Sequence, residues 1–319
     1  MKIAAAVITL ISWIISGNGE APIHVSFLEP NCGVSISGSR TARSYSSNII
    51  HGRPADMFGN PWMALINSQR TMCGGSLITN RFVLSAAHCR SNTPTVVYLG
   101  EFDRSTITDC TTTTCMPNVI GIPVDAQITH PRYVHHSQND IALFRLSRQV
   151  EYTAFIKPIC LLTNYNPLDH IRSLTATGWG TTETGATSSI LRTAILTQVD
   201  RSYCSAIYGN IVDRSHICAG DYNSHTCMGD SGGPISAMIP IGGSNRVVQL
   251  GIVSYGDVEC RQLGVYTNVN HHINWIAEVV RQAPNVERSF INPGQPQPTQ
   301  RPFINQGPNY YYFPWVYIG

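Results

Sequence analysis

Three short motifs of this sequence carry side chains that could together attack a carbonyl carbon. Ser231 lies in the run Gly-Asp-Ser-Gly-Gly-Pro at 229–234, His88 in Leu-Ser-Ala-Ala-His-Cys at 84–89, and Asp140 in Asn-Asp-Ile-Ala-Leu at 139–143. A serine hydroxyl is a weak nucleophile unless an adjacent base takes its proton, and an imidazole base needs a carboxylate to hold its tautomer. The motifs therefore predict acyl-transfer chemistry by a nucleophile, a base and an acid.

Each motif taken alone also has an ordinary explanation. The glycine-rich run around Ser231 is typical of a turn, His88 could be a satisfied core histidine, and Asp140 could cap a turn. The presence of all three in one chain, in the order His, Asp, Ser, favours the catalytic interpretation.

The same motifs resemble the trypsin/chymotrypsin-type serine endopeptidases over about residues 49–281. That family is the standard example of the Ser-His-Asp mechanism, so the mechanism is applied to this chain and not discovered in it. The resemblance implies an all-β fold of two antiparallel six-stranded β-barrels, with the active site between them and a short C-terminal helix. It places His88 and Asp140 in the first barrel and Ser231 in the second.

The residue pattern supports the same elements independently. Short runs rich in β-forming residues, such as 82–84, 95–98 and 247–253, alternate with turn residues and predict antiparallel strands. Ile273, Ile276, Val279 and Val280 recur at helical spacing and predict a helix over 271–281.

Composition sets the wider limits. The 319 residues are 43% hydrophobic and 13% charged, with a formal net charge of +2. A sizeable core is therefore feasible, and nucleic acid is disfavoured as a partner because no dense basic run occurs. Residues 1–20 combine one early lysine with a short apolar stretch, which predicts a secretory signal peptide, and no other segment is apolar for long enough to span a membrane.

Two flanking segments differ in composition from the central one. Residues 21–48 are polar and without periodicity, and we interpret them as a propeptide or linker. Residues 282–319 are rich in proline and end in clustered aromatic residues. This tail is either a solvated, polyproline-like segment or a docking segment for a partner.

The family resemblance assigns further roles around Ser231. The N–H groups of Gly229 and Ser231 would form the oxyanion hole. Cleavage before Ile49 would free an α-amino group that pairs with Asp230 and organises that hole. The family usually has Arg or Lys before this isoleucine, whereas here the residue is Asn48. An activator of trypsin-like specificity is therefore not expected to act directly, and an asparagine-directed protease or secondary trimming is the hypothesis.

The resemblance also identifies a substrate pocket that departs from the usual pattern. Trypsin-like members carry Asp six residues before the nucleophile, where this chain has His225. A histidine cannot neutralise a bound Arg or Lys, and a protonated one repels it. We expect neutral, apolar or acidic residues before the cut bond. The remaining positions that match the pocket or its surroundings are Thr226, Ser254, Tyr255, Gly256 and Gly264.

Ten cysteines form an even set, which in a secreted chain indicates disulfides without fixing their pairing. The resemblance implies Cys73–Cys89, Cys204–Cys218 and Cys227–Cys260, and suggests Cys32–Cys160 as a propeptide tether. Cys110 and Cys115 remain and would close a small loop, as in the catalytic domains of arthropod CLIP-type proteases. The CLIP module itself is not expected, because it needs six cysteines and only Cys32 precedes residue 49.

Metal binding and partners complete the expectations. No metal or other cofactor is expected, although Glu101, Asp103 and Asp109 could begin a calcium site in a loop that holds calcium in some relatives. Protein or peptide substrates, an activating protease and a serpin-type inhibitor are the implied partners of a secreted monomer. A catalytically silent, protease-like binding protein is the alternative, because of Asn48 and His225.

Overall fold

The computed structural model describes residues 25–36, 52–69, 71–135, 138–182, 184–209, 212–221, 226–257 and 259–282. The expected signal peptide, most of the propeptide and the tail after residue 282 lie outside these ranges, as do Asn48, Ile49 and His225. Within the described ranges, no helix is long and apolar enough to cross a membrane.

Short antiparallel strands dominate the fold because β-branched and aromatic residues recur between turns. The described residues form thirteen strands, here numbered β1 to β13: Arg53–Pro54, Met63–Ser68, Met72–Thr79, Phe82–Ser85, Thr95–Leu99, Ile120–Thr129, Ala142–Leu146, Ser173–Gly178, Arg192–Val199, His216–Gly220, Pro234–Ile241, Ser244–Tyr255 and Gly264–Asn268. The same part of the chain contains two α-helices, α1 at Arg201–Tyr208 and α2 at Ile273–Gln282.

The strands close into two six-stranded barrels, which confirms the predicted fold. The first barrel has the order β2-β3-β4-β7-β6-β5. The second has the order β9-β10-β13-β12-β11-β8 and closes by the β8–β9 pairing, with β1 added beside β9. Among the strands that the structure describes, closure leaves no long unpaired edge in either sheet.

Side-chain alternation fills the interior of each barrel. In β9, Ala194 and Leu196 are buried, whereas Ile195 between them is half exposed. Strand β4 is buried along its whole length because other elements cover both of its faces.

The C-terminal helix confirms the predicted periodicity with a shifted start. Ile273 and Ile276 bury one face of α2, but Asn270–His272 form a separate 3₁₀ turn ahead of it. The Asn268 side-chain oxygen accepts hydrogen bonds from the N–H groups of Asn270 and His271 and so holds this turn.

Residues 25–36 are tied closely to the second barrel. Cys32 forms a disulfide with Cys160, and Phe27 packs against the core of the second barrel. The N–H of Leu28 donates to Leu161 at 3.0 Å, and the Arg246 guanidinium donates to the Cys32 carbonyl at 2.6 Å. This part of the expected propeptide is therefore an integral layer of the protein.

The other bridges lie where the fold brings cysteines together. They are Cys73–Cys89, Cys110–Cys115, Cys204–Cys218 and Cys227–Cys260, the same pairs that the family resemblance implied. Among the described residues no cysteine is free.

Candidate active site

Strand pairing brings His88 and Asp140 together. Antiparallel pairing of β4 with β7 sets Ser85 opposite Ala142, so the chain leaving β4 meets the chain entering β7. His88 lies on a 3₁₀ turn just after β4, and Cys73–Cys89 ties that turn to β3. The His88 Nδ1 atom lies 2.7 Å from Asp140 Oδ2, and the His88 backbone N–H donates to Oδ1 at 3.0 Å.

The second barrel supplies two more donors to Asp140. The Ser254 hydroxyl donates to Asp140 Oδ2 at 2.5 Å, and the Thr267 hydroxyl donates to the Asp140 main-chain carbonyl at 2.8 Å. Ser254 lies at a β-bulge of β12, and such bulges redirect side chains.

The environment keeps the Asp140 carboxyl ionised. Burial raises its pKa, but the facing His88 and the hydrogen bonds from His88 and Ser254 outweigh burial and hold the pKa below its ordinary value. With Asp140 ionised, the proton of the imidazole lies on Nδ1, and Nε2 remains as the basic nitrogen. The pair can therefore orient a general base.

The Ser231 loop packs directly against the turn that carries His88. The Ser231 carbonyl accepts a hydrogen bond from the Gly74 N–H of β3 at 2.8 Å, and the Gly232 N–H donates to Val253 at 2.9 Å. Gly232 has φ +77°, and a Cβ added there would lie 2.6 Å from the Gly74 carbonyl and 3.1 Å from Cys89 Sγ. The fold thus brings Ser231, His88 and Asp140 to one junction between the barrels.

Asp230, beside Ser231, is a buried carboxyl in a tight glycine cradle. It is 1% exposed and accepts hydrogen bonds from the N–H groups of Gly180 at 2.8 Å and Cys227 at 3.0 Å. Burial raises its pKa to about 6, against the opposing effect of those two hydrogen bonds. A Cβ on Gly178 or Gly180 would overlap this carboxylate. The expected partner of this carboxylate, the Ile49 amine, lies outside the described residues.

Next to Asp230, Gly229 adopts a left-handed backbone with φ +95°. Glycine populates this region without the steric penalty that a Cβ imposes. The oxyanion-hole role of the Gly229 and Ser231 N–H groups remains a prediction.

The predicted pocket residues lie around one buried phenol, that of Tyr266, and two partly buried ones. Thr226 Oγ1 is 2.9 Å from Tyr266 Oη, and Gly264 packs so closely on Tyr266 that an added Cβ would lie 2.8 Å from the same oxygen. A Cβ added to Gly256 would lie 3.7 Å from the Gly264 Cα. Tyr255 packs edge-on against another ring, Tyr208, with centroids 5.6 Å apart. The described pocket residues therefore offer hydroxyl groups and no charged side chain.

The loop that could begin a calcium site is held by its own carboxylates. Asp109 Oδ2 accepts hydrogen bonds from the N–H groups of Phe102 at 3.2 Å and Asp103 at 3.1 Å. Burial, followed by the neighbouring Asp109, raises the pKa of Glu101 to about 7. Calcium binding here stays a prediction.

Another cysteine and histidine group can be excluded as a metal site. In the part of the chain that the structure describes, one His/Cys/Asp/Glu group has ligand atoms within 4.8 Å of one another, and it consists of Cys73, His88 and Cys89. Its two sulfurs form a disulfide, so they are not thiolate ligands.

Sequence reasoning missed a histidine cluster behind Asp140. His272 is 3% exposed, and its ring centroid lies 5.1 Å from that of His130 and 4.9 Å from that of His271. His130 also stacks edge-on against Trp275 at 5.1 Å, and its N–H donates to the Ile141 carbonyl. These histidines come from two regions far apart in the chain, and no local pattern indicated their meeting.

We expect the His272 cluster to weaken the protein in acid. Burial, and then His271, His130, His216 and Arg132, lower the pKa of His272 to about 3 from an ordinary value near 6.5. The unfolded chain therefore binds a proton that the folded protein resists. Neutral His272 therefore contributes fully to the free energy of unfolding above pH 6.5. This contribution is lost as the pH falls from 6.5 towards 3, and the total loss is up to about 4–5 kcal/mol.

Urea unfolding of wild type and His272→Phe between pH 4 and pH 8 checks this expectation. As the pH falls, the free energy of unfolding should decrease more in the wild type than in His272→Phe. Comparing differences removes the opposite contribution of Asp230, whose raised pKa favours the folded state in acid. A constant difference across this range would contradict the expectation.

Comparison with known proteins places these features in a family. The Trypsin family model matches residues 49–276. Melanization protease 1 of Drosophila melanogaster is 38% identical over 283 residues, which cover 80% of this chain and 68% of that protein. Phenoloxidase-activating factor 3 of Holotrichia diomphalia is 37% identical over 258 residues, 73% of this chain and 72% of that protein. The crystal structure of the Drosophila Grass clip serine protease of the Toll pathway is 35% identical with a TM-score of 0.68, over 78% of this chain and 75% of that one.

Proposed function

This chain belongs to the trypsin family and is a serine-type endopeptidase, and from that premise we propose that it cuts proteins or peptides through a His88–Asp140–Ser231 triad. The observation that carries the proposal is the hydrogen-bonded His88–Asp140 pair beside the packed Ser231 loop. We further propose that the protein is secreted as a zymogen.

Each side chain has a defined role in the proposed reaction. Ser231 Oγ attacks the scissile carbonyl carbon while its proton moves to His88 Nε2. The N–H groups of Gly229 and Ser231 stabilise the oxyanion, and one such donor is worth about 2.7–4 kcal/mol in comparable enzymes. The imidazolium then protonates the leaving amine, and an acyl-enzyme forms. Water, deprotonated by the same imidazole, releases the acid product, and the proton returns to Ser231.

Activation is proposed to require a cut between Asn48 and Ile49. The new ammonium group would enter the cradle of Asp230 and pair with its carboxylate. Breaking a buried pair of this kind costs about 3–5 kcal/mol, so the uncut chain lacks a strong driving force for the active conformation. The Cys32–Cys160 disulfide would keep the cut propeptide attached.

Labelling with a fluorophosphonate probe tests the catalytic proposal. Because the natural activator of the Asn48–Ile49 bond is unknown, an Asn48→Arg variant is cut with trypsin, and its new terminus is sequenced. We expect covalent labelling of the cut chain at Ser231 and none in the matched Asn48→Arg/Ser231→Ala double variant. A chain that begins at Ile49 yet resists labelling would favour the alternative, a catalytically silent binding protein.

Asparagine-directed activation has its own test. The wild-type protein is recovered from its native secreted fluid, and its N-terminus is sequenced. We expect Ile49 as the first residue of the labelled chain. A labelled chain that begins at Ser44, after Arg43, would contradict this route, because its amine would lie five residues before Ile49.

Specificity is proposed to avoid Arg and Lys before the cut bond. Six residues before Ser231 the chain has His225 in place of the family's aspartate, and the described pocket residues add no carboxylate. A cationic substrate side chain would lose its hydration there without gaining a counter-ion.

A peptide-library profile of the activated enzyme tests the specificity. We expect cleavage after neutral, apolar or acidic residues, with acidic ones favoured at low pH where His225 is protonated. Substituting His225→Asp should raise cleavage after Arg at least about tenfold, because a hydrogen bond to a charged group contributes about 1.5–3 kcal/mol. A wild-type profile dominated by Arg or Lys would overturn this assignment.

A further inference from the structure

Thr267 contacts the proposed catalytic acid from the opposite barrel. Side chains alternate along β13, and Tyr266 points into the core of the second barrel. The next residue, Thr267, therefore points out of that core. Thr267 is 2% exposed, and its hydroxyl donates to the Asp140 main-chain carbonyl at 2.8 Å. This contact joins residues 127 positions apart.

The backbone around Asp140 is a tight turn that needs such support. Asn139 has φ +53°, an unusual value for a residue with a side chain, and the Ile141 N–H donates to the Asn139 carbonyl at 2.8 Å. The Asn139 amide also donates to the Arg132 carbonyl at 2.8 Å. Asp140 is the central residue of this turn, so a change in the orientation of its backbone also changes the direction of its side chain.

Two hydroxyl groups of the second barrel thus hold different parts of one residue. Ser254 binds the Asp140 carboxylate, and Thr267 binds its main-chain carbonyl. The carboxylate in turn contacts the His88 ring and the His88 backbone N–H. Fixing the carbonyl fixes the peptide plane, and with it the direction in which the carboxylate meets the imidazole.

We propose that Thr267 is a positioning residue for the triad, whose hydroxyl sets the orientation of Asp140 towards His88. The inference rests on the proposed function only for its catalytic consequence. The contact that it assigns to His88 and Asp140 exists whether or not the chain cuts peptides. Thr267 touches neither substrate nor reacting atoms, so its effect passes entirely through Asp140.

Two substitutions at this position separate the hydroxyl from the rest of the side chain. Thr267→Val keeps the branched shape and the volume but removes the donor, whereas Thr267→Ser keeps the donor and removes a methyl group. A matched control is Thr95→Val in β5. Thr95 is 4% exposed, and its hydroxyl donates to the Thr93 carbonyl at 3.1 Å, accepts from the Gln127 amide at 3.2 Å and does not contact the triad.

The experiment uses the full chain and two readouts. The first is the proton NMR resonance of the His88 Nδ1–H group, assigned by its loss in His88→Gln, which reports the hydrogen bond to Asp140 without requiring activity. The second is the rate of fluorophosphonate labelling after cleavage before Ile49. Urea unfolding of every variant measures the loss of stability that is common to Thr267→Val and Thr95→Val.

We expect Thr267→Val to move the Nδ1–H resonance upfield, to speed its exchange with water, and to slow labelling about three- to tenfold, the range for one lost hydrogen bond. Thr267→Ser should restore both readouts, and Thr95→Val should change neither.

If Thr267→Val is destabilised like Thr95→Val but keeps the wild-type resonance, Thr267 has only a structural role and the proposal fails. If Thr267→Val does not fold, Thr267→Ser decides the question. This variant keeps the hydroxyl, so an Nδ1–H resonance shifted upfield, as expected when the His88–Asp140 hydrogen bond is lost, would contradict a role for the hydroxyl. Absence of labelling in the wild type would refute the proposed function, and the resonance would still decide the role of Thr267.

Discussion

Replacing Asp140 by asparagine should lower kcat by about 10⁴-fold while leaving the fold intact. That magnitude is the one known for the triad of this family. The Asp140 carboxylate accepts hydrogen bonds on both oxygens, from the His88 N–H on Oδ1 and from His88 Nδ1 and Ser254 on Oδ2. An amide can accept on one oxygen only, and its NH₂ group would force His88 to turn its lone pair towards residue 140. The proton would then lie on Nε2, where the base is needed.

The measurement is the turnover of a peptide selected from the library profile, on enzyme whose cleavage before Ile49 has been verified. Asp125→Asn is the matched control, because Asp125 is a partly exposed aspartate paired with Arg81 and Arg145. We expect the control to keep wild-type turnover, since exposed ion pairs contribute little. An Asp140→Asn enzyme within tenfold of wild type would show that another group orients His88.

Replacing Gly232 by alanine should both destabilise the protein and stop labelling of Ser231. Gly232 has φ +77°, which costs an alanine about 1–2 kcal/mol. Its Cβ would also overlap the Ser85 hydroxyl and lie 2.6 Å from the Gly74 carbonyl. The shifts of backbone and side chains that this overpacking forces cost about 1–3 kcal/mol more. Because Gly74 also binds the Ser231 carbonyl, the movement should displace the nucleophile.

Gly243→Ala separates the two costs. Gly243 has the same φ of +77°, but a Cβ there meets nothing within 4 Å. In urea unfolding, we expect Gly243→Ala to be destabilised only by the cost of placing an alanine at positive φ. Its Ser231 should react with the fluorophosphonate probe at the wild-type rate. Equal behaviour of the two variants in both measurements would mean that the packing of Gly232 on the first barrel has no role in placing Ser231.

Local patterns in the sequence were sufficient to locate several strands and the C-terminal helix, and to propose the chemistry. The β-rich run 247–253 lies inside β12, and the spacing of Ile273 and Ile276 matches the buried face of α2. Such patterns are readable because the side-chain periods of a strand and a helix involve only near neighbours in the chain. The triad residues were recognisable because their types and flanking motifs are specific.

The sequence by itself thus determined the element types, the candidate triad and the set of cysteines. The tertiary structure alone decided that Thr267 and Ser254 meet Asp140, that Gly232 packs on β3 and β4, and that residues 25–36 cover the second barrel. These contacts join residues far apart in the chain, such as the 127 positions between Asp140 and Thr267. They depend on strand register and on a bulge at Ser254, which set the face that each side chain presents. The side-chain period of a single strand does not determine which of these residues meet, because the contacts form only where the two closed barrels pack against each other.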